Sequence, residues 1–347
     1  MQTARTTIGF LLAWLGFTLA GTAVAQEPHD SGWAFYMDND VLARRHSDRD
    51  YTGGLSLTLA GRRARDAWWS VDPLRRGADR LLGLDALYAA ASIGRHSAEA
   101  GITIFTPASL SDVEKQLGDR PYASLVYLAN TGVNVAPERD VAYISTFTVG
   151  VLGAPIVGNG QRALHRAIGS NEPMGWEKQI SEGGELTARY SFARMNRVWA
   201  NQGSEASSTV YASVGYLTEL TYGVAARFGE FRTPWWSYNP QIAQYAEKSV
   251  PVVASEGGGA ERYLWGGFNV KARAYNAFLQ GQFRESTVRY SFDEIEPIVA
   301  EAWLGFVTQI FQNTQVSYTL NYQTAELREG PANREALWGA VQLSHSF

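Results

Sequence analysis

Alternation of apolar and polar residues is the main pattern along this sequence. From Gln315 to Gln323 every even-numbered residue is apolar or aromatic and every odd-numbered residue is polar. Leu55, Leu57 and Leu59 alternate with Ser, Thr and Ala in the same way. Because successive side chains of a β-strand point to opposite faces, each segment predicts a strand with one apolar and one polar face.

A third alternating segment contains one exception. Tyr143, Phe147, Val149 and Val151 form its apolar series, and Ser145 interrupts that series. Soluble β-sandwiches alternate too, so the pattern by itself predicts an all-β chain without deciding its solvent.

Three further features favour a membrane-spanning β-barrel. The strands are about 10 residues long, which suits a tilted bilayer crossing. The 11 Trp and 17 Tyr often lie near strand ends, as interfacial girdles require. The last predicted strand ends on the aromatic Phe347, although His345 interrupts its apolar face. Such a strand resembles the signal that the barrel-insertion machinery of the outer membrane recognises.

We therefore predict a transmembrane antiparallel up-and-down β-barrel of about 12 strands, an even number that returns the chain to its starting side. The predicted strands cover roughly residues 32–40, 51–61, 86–97, 121–134, 140–152, 184–197, 207–217, 218–230, 262–275, 298–311, 314–326 and 335–347. The extracellular links are then the one between the first two strands, the link 98–120 and the link 153–183. The link 153–183 is predicted to contain a short helix at 161–168. The stretch 207–230 is either one hairpin or one long strand, and a hairpin makes 231–261 a long periplasmic segment.

The first 25 residues have the layout of a cleaved secretory signal. Arg5 is their only charge, and it precedes the apolar stretch Ile8 to Ala20 and the small-residue site Ala23-Val24-Ala25. The apolar stretch is shorter than the roughly 20 residues that a spanning helix needs. We expect a leader over residues 1–25 and a mature barrel domain over 26–347.

Charge and cysteine content narrow the partners. The formal net charge of −4 argues against nucleic acid as a partner. The sequence has no Cys, so it offers neither a disulfide framework nor a thiolate metal site.

The predicted topology gathers polar residues at the extracellular rim. They are Asn39, Asp40, Thr52, Gln161 and His165. Gln161 and His165 are four residues apart and share one helix face. Thr52 has the parity of the lumen-facing residues if Leu55, Leu57 and Leu59 face lipid.

Each of these residues has a catalytic and an ordinary interpretation. A histidine, with a usual pKa of roughly 6.5, suits general-base catalysis, but a loop histidine that only caps a helix or forms hydrogen bonds is the more common case. Asp40 with Asn39 could bind a hard cation such as Ca²⁺, or could form a common Asx turn. Gly53 would let backbone amides approach a ligand, or would mark a barrel bend. No G-x-S-x-G elbow supports an α/β-hydrolase.

Several blocks in order resemble the lipid A 3′-O-deacylases, outer-membrane enzymes that remove the 3′-linked acyloxyacyl chain of lipid A. The blocks are Asn39-Asp40, Asp48-Arg49, Tyr51-Thr52-Gly53-Gly54-Leu55, Asp119-Arg120-Pro121-Tyr122-Ala123, Gln161-x-x-x-His165 and Gly175-Trp176 with Gln179. They fall across roughly residues 32–195, and the C-terminal half matches only as barrel strands.

The resemblance implies a Ca²⁺-dependent ester hydrolase that acts on lipid A of lipopolysaccharide at the outer face of the outer membrane. His165 aligns with the family's catalytic histidine, Asn39 and Asp40 with its essential pair, and Thr52 with its hydroxyl residue. Gln161 aligns with a supporting group on the same helix. We expect Asp40 to hold the metal, and Gly53 and Arg120 to support substrate binding.

The basic residues that would meet lipid A phosphates do not align clearly. Possible substitutes are Arg95, Lys115, Arg120, Arg162 and Arg166.

Two other classes remain open. An outer-membrane phospholipase would use a serine nucleophile beside a histidine in the barrel wall, and the sequence shows no strand-borne pair of that pattern. A non-enzymatic barrel could be a pore, a receptor or an inactive relative. Porins have about 16 or more strands, which is more than this chain supplies.

Overall fold

The computed structural model describes residues 26–43, 50–111, 118–238, 246–247, 252–253 and 260–347. The predicted leader over residues 1–25 lies outside these ranges. Asp48, Arg49 and Lys115, which the sequence singled out, lie outside them as well.

The described strands form one closed antiparallel barrel in which each strand pairs with its sequence neighbours and β1 also pairs with β12. The strands are β1 (Gly32–Asn39), β2 (Asp50–Ala60), β3 (Ile93–Thr106), β4 (Ala123–Ala136), β5 (Val141–Leu152), β6 (Glu185–Asn201), β7 (Ser204–Gly215), β8 (Leu217–Glu230), β9 (Arg262–Asn276), β10 (Ile298–Phe311), β11 (Thr314–Gln323) and β12 (Ala336–Ser346). The predicted fold class is confirmed. We call the end that carries Gly32 and Ser346 periplasmic, in keeping with an even-stranded outer-membrane barrel.

The strand faces have the polarity of a membrane barrel. On β2, Leu55 and Leu57 are exposed on the outward face, whereas Ser56 and Thr58 are buried in the lumen. An apolar exterior around a polar interior is the arrangement that lipid requires.

One predicted strand was displaced. The sequence placed the third strand at 86–97, but β3 spans Ile93–Thr106 and residues 85–88 form a helix. The run Leu87-Tyr88-Ala89-Ala90-Ala91 is apolar without alternating; its first two residues end the helix, and the alanines follow as the helix cap and a turn. The extracellular link is accordingly 107–122 rather than 98–120.

The uncertain stretch 207–230 is a hairpin. β7 and β8 pair antiparallel around Tyr216, and 231–261 returns at the periplasmic end to β9.

Five short helices lie in the links between strands. They are α1 (Arg62–Asp66), α2 (Asp72–Leu81) and α3 (Asp85–Tyr88) between β2 and β3, α4 (Pro155–Ile168) between β5 and β6, and α5 (Ala277–Gln280) between β9 and β10. Within the described ranges, none of them has the length and apolar content to cross a bilayer.

The described residues of the periplasmic segment between β8 and β9 pack inside the barrel at its periplasmic end. Trp235 and Trp236 pack against lumen-facing residues of β4, β5, β6 and β7, among them Val133 and Met195. Farther along, Glu247 forms an ion pair of 2.9 Å with the fully buried Arg189 of β6. The lumen is therefore a packed interior.

A network of buried charges fills the extracellular half of the lumen. Arg120 pairs with Glu326, and its guanidinium lies 4.3 Å above the Phe105 ring. Arg273 pairs with the same Glu326 and, at 2.9 Å, with Glu219. Buried ions need such partners, because each isolated charge would cost several kcal/mol.

A closed barrel should resist detergent until heated. Its backbone hydrogen bonds form one uninterrupted ring of strand ladders, so unfolding must break many of them together. The mature protein should migrate differently on a denaturing gel before and after boiling, with β-type circular dichroism. A predominantly helical spectrum would contradict the fold.

Arg120→Gln should weaken the barrel. The change removes one of the guanidinium groups that contact Glu326, and breaking a buried pair costs about 3–5 kcal/mol. The temperature at which the folded form of the protein disappears from the gel should fall. Arg139→Gln, in the exposed turn between β4 and β5, is the control and should leave that temperature unchanged.

Candidate active site

The extracellular end of β1 continues into a 3₁₀ turn, Asp40–Ala43. Asn39 stabilises this turn on both sides, since its Oδ1 accepts from the Val41 amide at 2.8 Å and its Nδ2 donates to the Thr52 carbonyl at 2.8 Å. The ordinary interpretation, an Asx turn at a strand end, therefore describes the local bonds of Asn39. Asp40, the first residue of the turn, is 2% exposed.

The turn folds over the outward face of the barrel. The Tyr318 hydroxyl donates to the Leu42 carbonyl at 2.8 Å, and a Cβ on Gly339 would lie 2.6 Å from Leu42 Cβ. Gly339 alternates with Trp338 and Ala340, which are buried in the lumen. A glycine at this outward position thus lets the turn lie against the wall.

Asp38 lies on the other side of β1. Both of its carboxylate oxygens accept from the Tyr51 hydroxyl, at 2.9 and 2.8 Å, inside the barrel. It is separated from Asn39 and Asp40 by the wall itself.

A β-bulge places Thr52. Tyr51 pairs with Phe105 and Gly53 with Ile104, which leaves Thr52 as the extra residue of β2. Its hydroxyl oxygen lies 2.5 Å from that of Thr106. Thr106 alternates with the lumen residue Phe105, so this contact lies on the outward side. The predicted lumen parity of Thr52 was wrong, because the bulge breaks the alternation that the prediction assumed.

Gly53 is required by the same irregularity. Its φ of +151° disfavours residues with a side chain, and a Cβ there would lie 2.3 Å from the Asp38 carbonyl oxygen. The barrel-bend interpretation of this glycine therefore has direct structural support.

Helix α4 carries His165 and Gln161. It begins with Pro155 at its first turn and ends at Gly169, whose φ of +71° is a usual helix stop. The sequence predicted a shorter helix at 161–168, and the observed helix begins six residues earlier. Gln161 and His165 are both buried on one face, as their spacing predicted.

That face packs against the outward side of the barrel. Val157 of α4 joins Tyr122 and Trp176 in an apolar cluster. The cluster covers outward residues of three strands, namely Ile102, Ile104, Val126 and Val151. The Trp176 indole packs against Gly158, where a Cβ would lie 2.6 Å from Trp176 Cγ, and it donates to Gln161 Oε1 at 2.8 Å.

The two groups of residues therefore share one face of the wall. Ile104 beneath α4 and Thr106 beside Thr52 are two residues apart on β3 and point the same way. The Asp40 turn, Thr52 and α4 thus lie on the same outward face of the wall near its extracellular end. Chemistry that involved them would take place at the membrane surface and outside the lumen.

The imidazole of His165 is oriented by a backbone oxygen. Its Nδ1 lies 2.6 Å from the Asn171 carbonyl, and the ring is 4% exposed. Because a carbonyl can only accept, Nδ1 carries the proton, and the neutral ring has its lone pair on Nε2. This is the tautomer that a general base needs.

The candidate phosphate-binding residues are dispersed. Arg120 points into the lumen, and Arg95 lies near the periplasmic end of β3. Arg162 and Arg166 remain on α4, where Arg162 donates to Asn159 at 3.1 Å. Of the described candidates, the helix pair is the one beside His165.

An ionic clamp supports the rim beside the site. Arg334 contacts Asp50 at 2.8 Å and Asp119 at 2.7 Å, which joins β2, the β3–β4 link and the β11–β12 link. Burial lowers the pKa of the Arg334 guanidinium, but the two carboxylates outweigh this and raise that pKa above its usual value. Asp119, the first residue of the block Asp119-Arg120-Pro121-Tyr122-Ala123, is thus one partner in this structural clamp.

The donors near the Asp40 turn suit a hard cation in kind. The Asp40 carboxylate, the Asn39 amide oxygen and the Thr52 hydroxyl are all oxygen ligands, which Ca²⁺ prefers. Within the described ranges, however, no group of three or more His, Cys, Asp or Glu residues could hold a metal. Backbone carbonyls and water would have to complete the coordination.

Sequence reasoning missed several positioning residues. They are Thr106, Asn171 and Gly339. The Asn171 contact is a backbone carbonyl and leaves no signal in the sequence. Trp176 stood in a recognised block, but its bond to Gln161 depends on tertiary packing.

The barrel has solved counterparts. The LpxR structure from Salmonella typhimurium is 19% identical, with a TM-score of 0.68 and coverage of 91% of this chain and 100% of that chain. The β domain of the Bordetella autotransporter BrkA is 10% identical, with a TM-score of 0.43 and coverage of 92% and 100%. The KdgM porin is 6% identical, with a TM-score of 0.37 and coverage of 91% and 99%.

A search of curated proteins by sequence gave no match. The family comparison is decisive. A family model described as "Outer membrane protein LpxR" matches residues 10–347, nearly the whole chain. The chain belongs to the LpxR family of outer-membrane proteins.

Proposed function

We propose that this protein hydrolyses the ester of the 3′-linked acyloxyacyl chain of lipid A, with His165 as the general base. The observation that carries the proposal is the position of the site. His165 and Thr52 lie by the outward face of the wall near its extracellular end, where an outer-leaflet lipid can approach sideways. A substrate embedded in that leaflet would not have to enter the filled lumen.

The proton transfers follow from the orientation of His165. Nε2 accepts a proton from water as the water oxygen attacks the ester carbonyl carbon. The tetrahedral intermediate then expels the sugar oxygen, which takes the proton back from the imidazolium. The products are the free acyloxyacyl acid and a lipid A hydroxyl. The Asn171 carbonyl accepts from Nδ1 throughout and holds the ring.

Asp40, Asn39 and Thr52 would form the metal side of the site. Asp40 would bind Ca²⁺ through its carboxylate, and Asn39 would hold the turn that presents it. When bound, Ca²⁺ would supply positive charge for the developing oxyanion. The Thr52 hydroxyl would position the reacting ester, since attack by water needs no covalent intermediate.

The alternative functions have less support. The histidines of described strands, His96 and His345, contact Glu27 and Thr314, whereas a wall-borne phospholipase site would pair such a histidine with serine. A pore needs a continuous lumen, but Trp235 and other residues of the periplasmic segment pack inside it. An inactive relative remains the alternative that the experiments must test.

His165→Ala should reduce deacylation by roughly 10²–10⁴-fold, the usual contribution of a general base. The helix lies outside the strand ladder, so the barrel should still fold and insert. Release of the 3′-linked chain would be measured by mass spectrometry of lipid A from cells that express each variant, with the heat-modifiable gel shift as the folding check.

Leu164→Ala is the matched control, because Leu164 directly precedes His165 on α4, is 57% exposed and is not among the candidate substrate-binding residues. It should keep most of the activity. Near-normal release of the 3′-linked chain by His165→Ala would show that α4 only covers the wall and that His165 is not the general base. No release by the unaltered protein would favour an inactive relative.

Chelation should stop hydrolysis and Ca²⁺ should restore it, because the candidate donors are oxygens and the chain has no Cys. Asp40→Asn should raise the Ca²⁺ concentration needed for half-maximal rate more than it lowers the rate at saturation. Asp38 is two residues before Asp40 and faces the lumen. Asp38→Asn should therefore leave the Ca²⁺ concentration needed for half-maximal rate unchanged. Full activity after exhaustive chelation would exclude the metal role of Asp40.

A further inference from the structure

The segment between β2 and β3 lies against the outward face of the barrel at its periplasmic end. Asn130 of β4 joins it to the wall, since its Nδ2 donates to the Ala64 carbonyl at 2.9 Å and its Oδ1 accepts from the Val71 amide at 2.8 Å. Val71 directly precedes α2, so these bonds fix the start of that helix on the barrel exterior.

Helix α2 turns its charged face toward the barrel. Arg75 contacts Asp72 at 2.6 Å and Asp79 at 2.9 Å, and all three side chains are buried. The Arg75 guanidinium also donates to the Ser145 hydroxyl at 2.8 Å, and the Tyr190 hydroxyl donates to Asp79 at 2.5 Å. The polar groups of this face are therefore paired with one another and with the wall.

The wall is shaped to receive this face. Ser145 is the residue that interrupts the apolar outward series of β5, and it is fully buried beneath α2. A Cβ on Gly132, its partner on β4, would lie 2.6 Å from the Arg75 guanidinium carbon. A polar residue and a glycine, both at outward positions of the wall, thus form the surface against which α2 packs.

The opposite face of α2 is apolar and exposed. Leu74 follows Asp72 by two residues, and Leu81 follows Asp79 by two. Two residues turn an α-helix by about 200°, so the leucines and the aspartates lie on opposite sides of α2. Leu74 is 51% exposed and Leu81 is 87% exposed. A helix in water has the reverse polarity, with apolar residues inward. Charges toward protein and leucines outward is the arrangement of a helix whose outer surroundings are lipid.

We propose that α2 and the turn before it are embedded in the periplasmic leaflet, with Leu74, Leu81 and Trp68 among the phospholipid acyl chains. Trp68 is 95% exposed, and tryptophan favours the interface between headgroups and chains. This site is distinct from the proposed active site at the other end of the barrel, and it does not depend on the proposed function.

The charge of the segment suits phospholipid headgroups. Residues 61–92 contain six Arg and four Asp, whereas the whole chain has a net charge of −4. On α2, Arg80 is exposed, and Arg76 contacts Asp72 at 2.9 Å while its side chain stays 48% exposed. Long arginine side chains can extend from the acyl region to phosphate.

The depth of the helix agrees with this location. Ser145 pairs with Phe192 of β6, and Tyr143, two residues nearer the periplasm, pairs with the exposed, outward Arg194. An outward arginine beside a tyrosine is typical of a headgroup boundary. The contact at Ser145 therefore lies just inside the bilayer, and α2 continues the apolar surface of the barrel.

The absence of cysteine from the sequence permits a direct test. Single nitroxide labels would be placed at Leu74→Cys and Leu81→Cys in the complete barrel domain, residues 26–347. The labelled protein would be reconstituted in bilayers of phosphatidylethanolamine and phosphatidylglycerol. Collision rates with oxygen, which concentrates in acyl chains, and with a water-soluble nickel chelate would be compared. Both labels should favour oxygen over nickel.

Two control labels calibrate the result. Leu57→Cys on the outward wall should favour oxygen, and Glu138→Cys in the exposed periplasmic turn should favour nickel. Nickel-dominated values at Leu74→Cys and Leu81→Cys would place the helix in water and overturn the proposal. Low collision with both reagents would show that protein, such as a second copy, covers the leucines, and would overturn it equally.

A second measurement does not depend on labelling the helix. Phospholipids brominated in the acyl chains should quench part of the tryptophan fluorescence, and Trp68→Phe should remove a quenched component. Equal quenching of the unaltered protein and Trp68→Phe would show that Trp68 does not reach the chains.

Discussion

Closure of the hydrogen-bonded sheet is the constraint on which the rest of this molecule depends. In lipid, no water is present to satisfy a backbone N–H or C=O, so every strand needs a partner on both sides. The pairing of β1 with β12, from Gly32 and Ser346 to Asn39 and Gly339, removes the last free edge. With the ladder closed, the wall is rigid, and functional groups can be added only to its ends and its two faces.

The outward face has a simple rule with informative exceptions. Lipid-facing positions should be apolar, yet Ser145 and Asn130 on this face are polar and buried. Asn130 bonds to α1 and to the residue before α2, Ser145 lies under α2, and Thr106 lies beside Thr52 near the extracellular rim. Buried polar residues on the outward face thus mark where the barrel is covered by its own chain. A covered patch can hold hydrogen bonds that open lipid would forbid.

Alternation predicted most of the strands, because each strand separates a lipid face from a polar lumen. It failed at 86–97, where an apolar run without alternation forms the end of a helix and a turn, and at Thr52, where the bulge adds one residue. Residue types and the order of the motifs were enough to name candidate residues for the site. It was not predictable where tertiary contacts decide, as with Arg120, which the sequence placed near substrate and the fold places on Glu326 in the lumen.

A candidate site outside the lumen agrees with the lipid substrate of the proposed function. Moving an acyl chain into a lumen filled with paired charges would exchange apolar surroundings for polar ones, at about 0.8 kcal/mol for each CH₂ group. At a site on the outward face the chains would stay in the leaflet, and only the ester would have to reach His165. The proposed mechanism therefore requires a helix outside the wall to carry the base, and α4 is held there by Val157, Gln161 and Trp176. The packing of described residues inside the lumen thus supports the proposal of catalysis at the exterior.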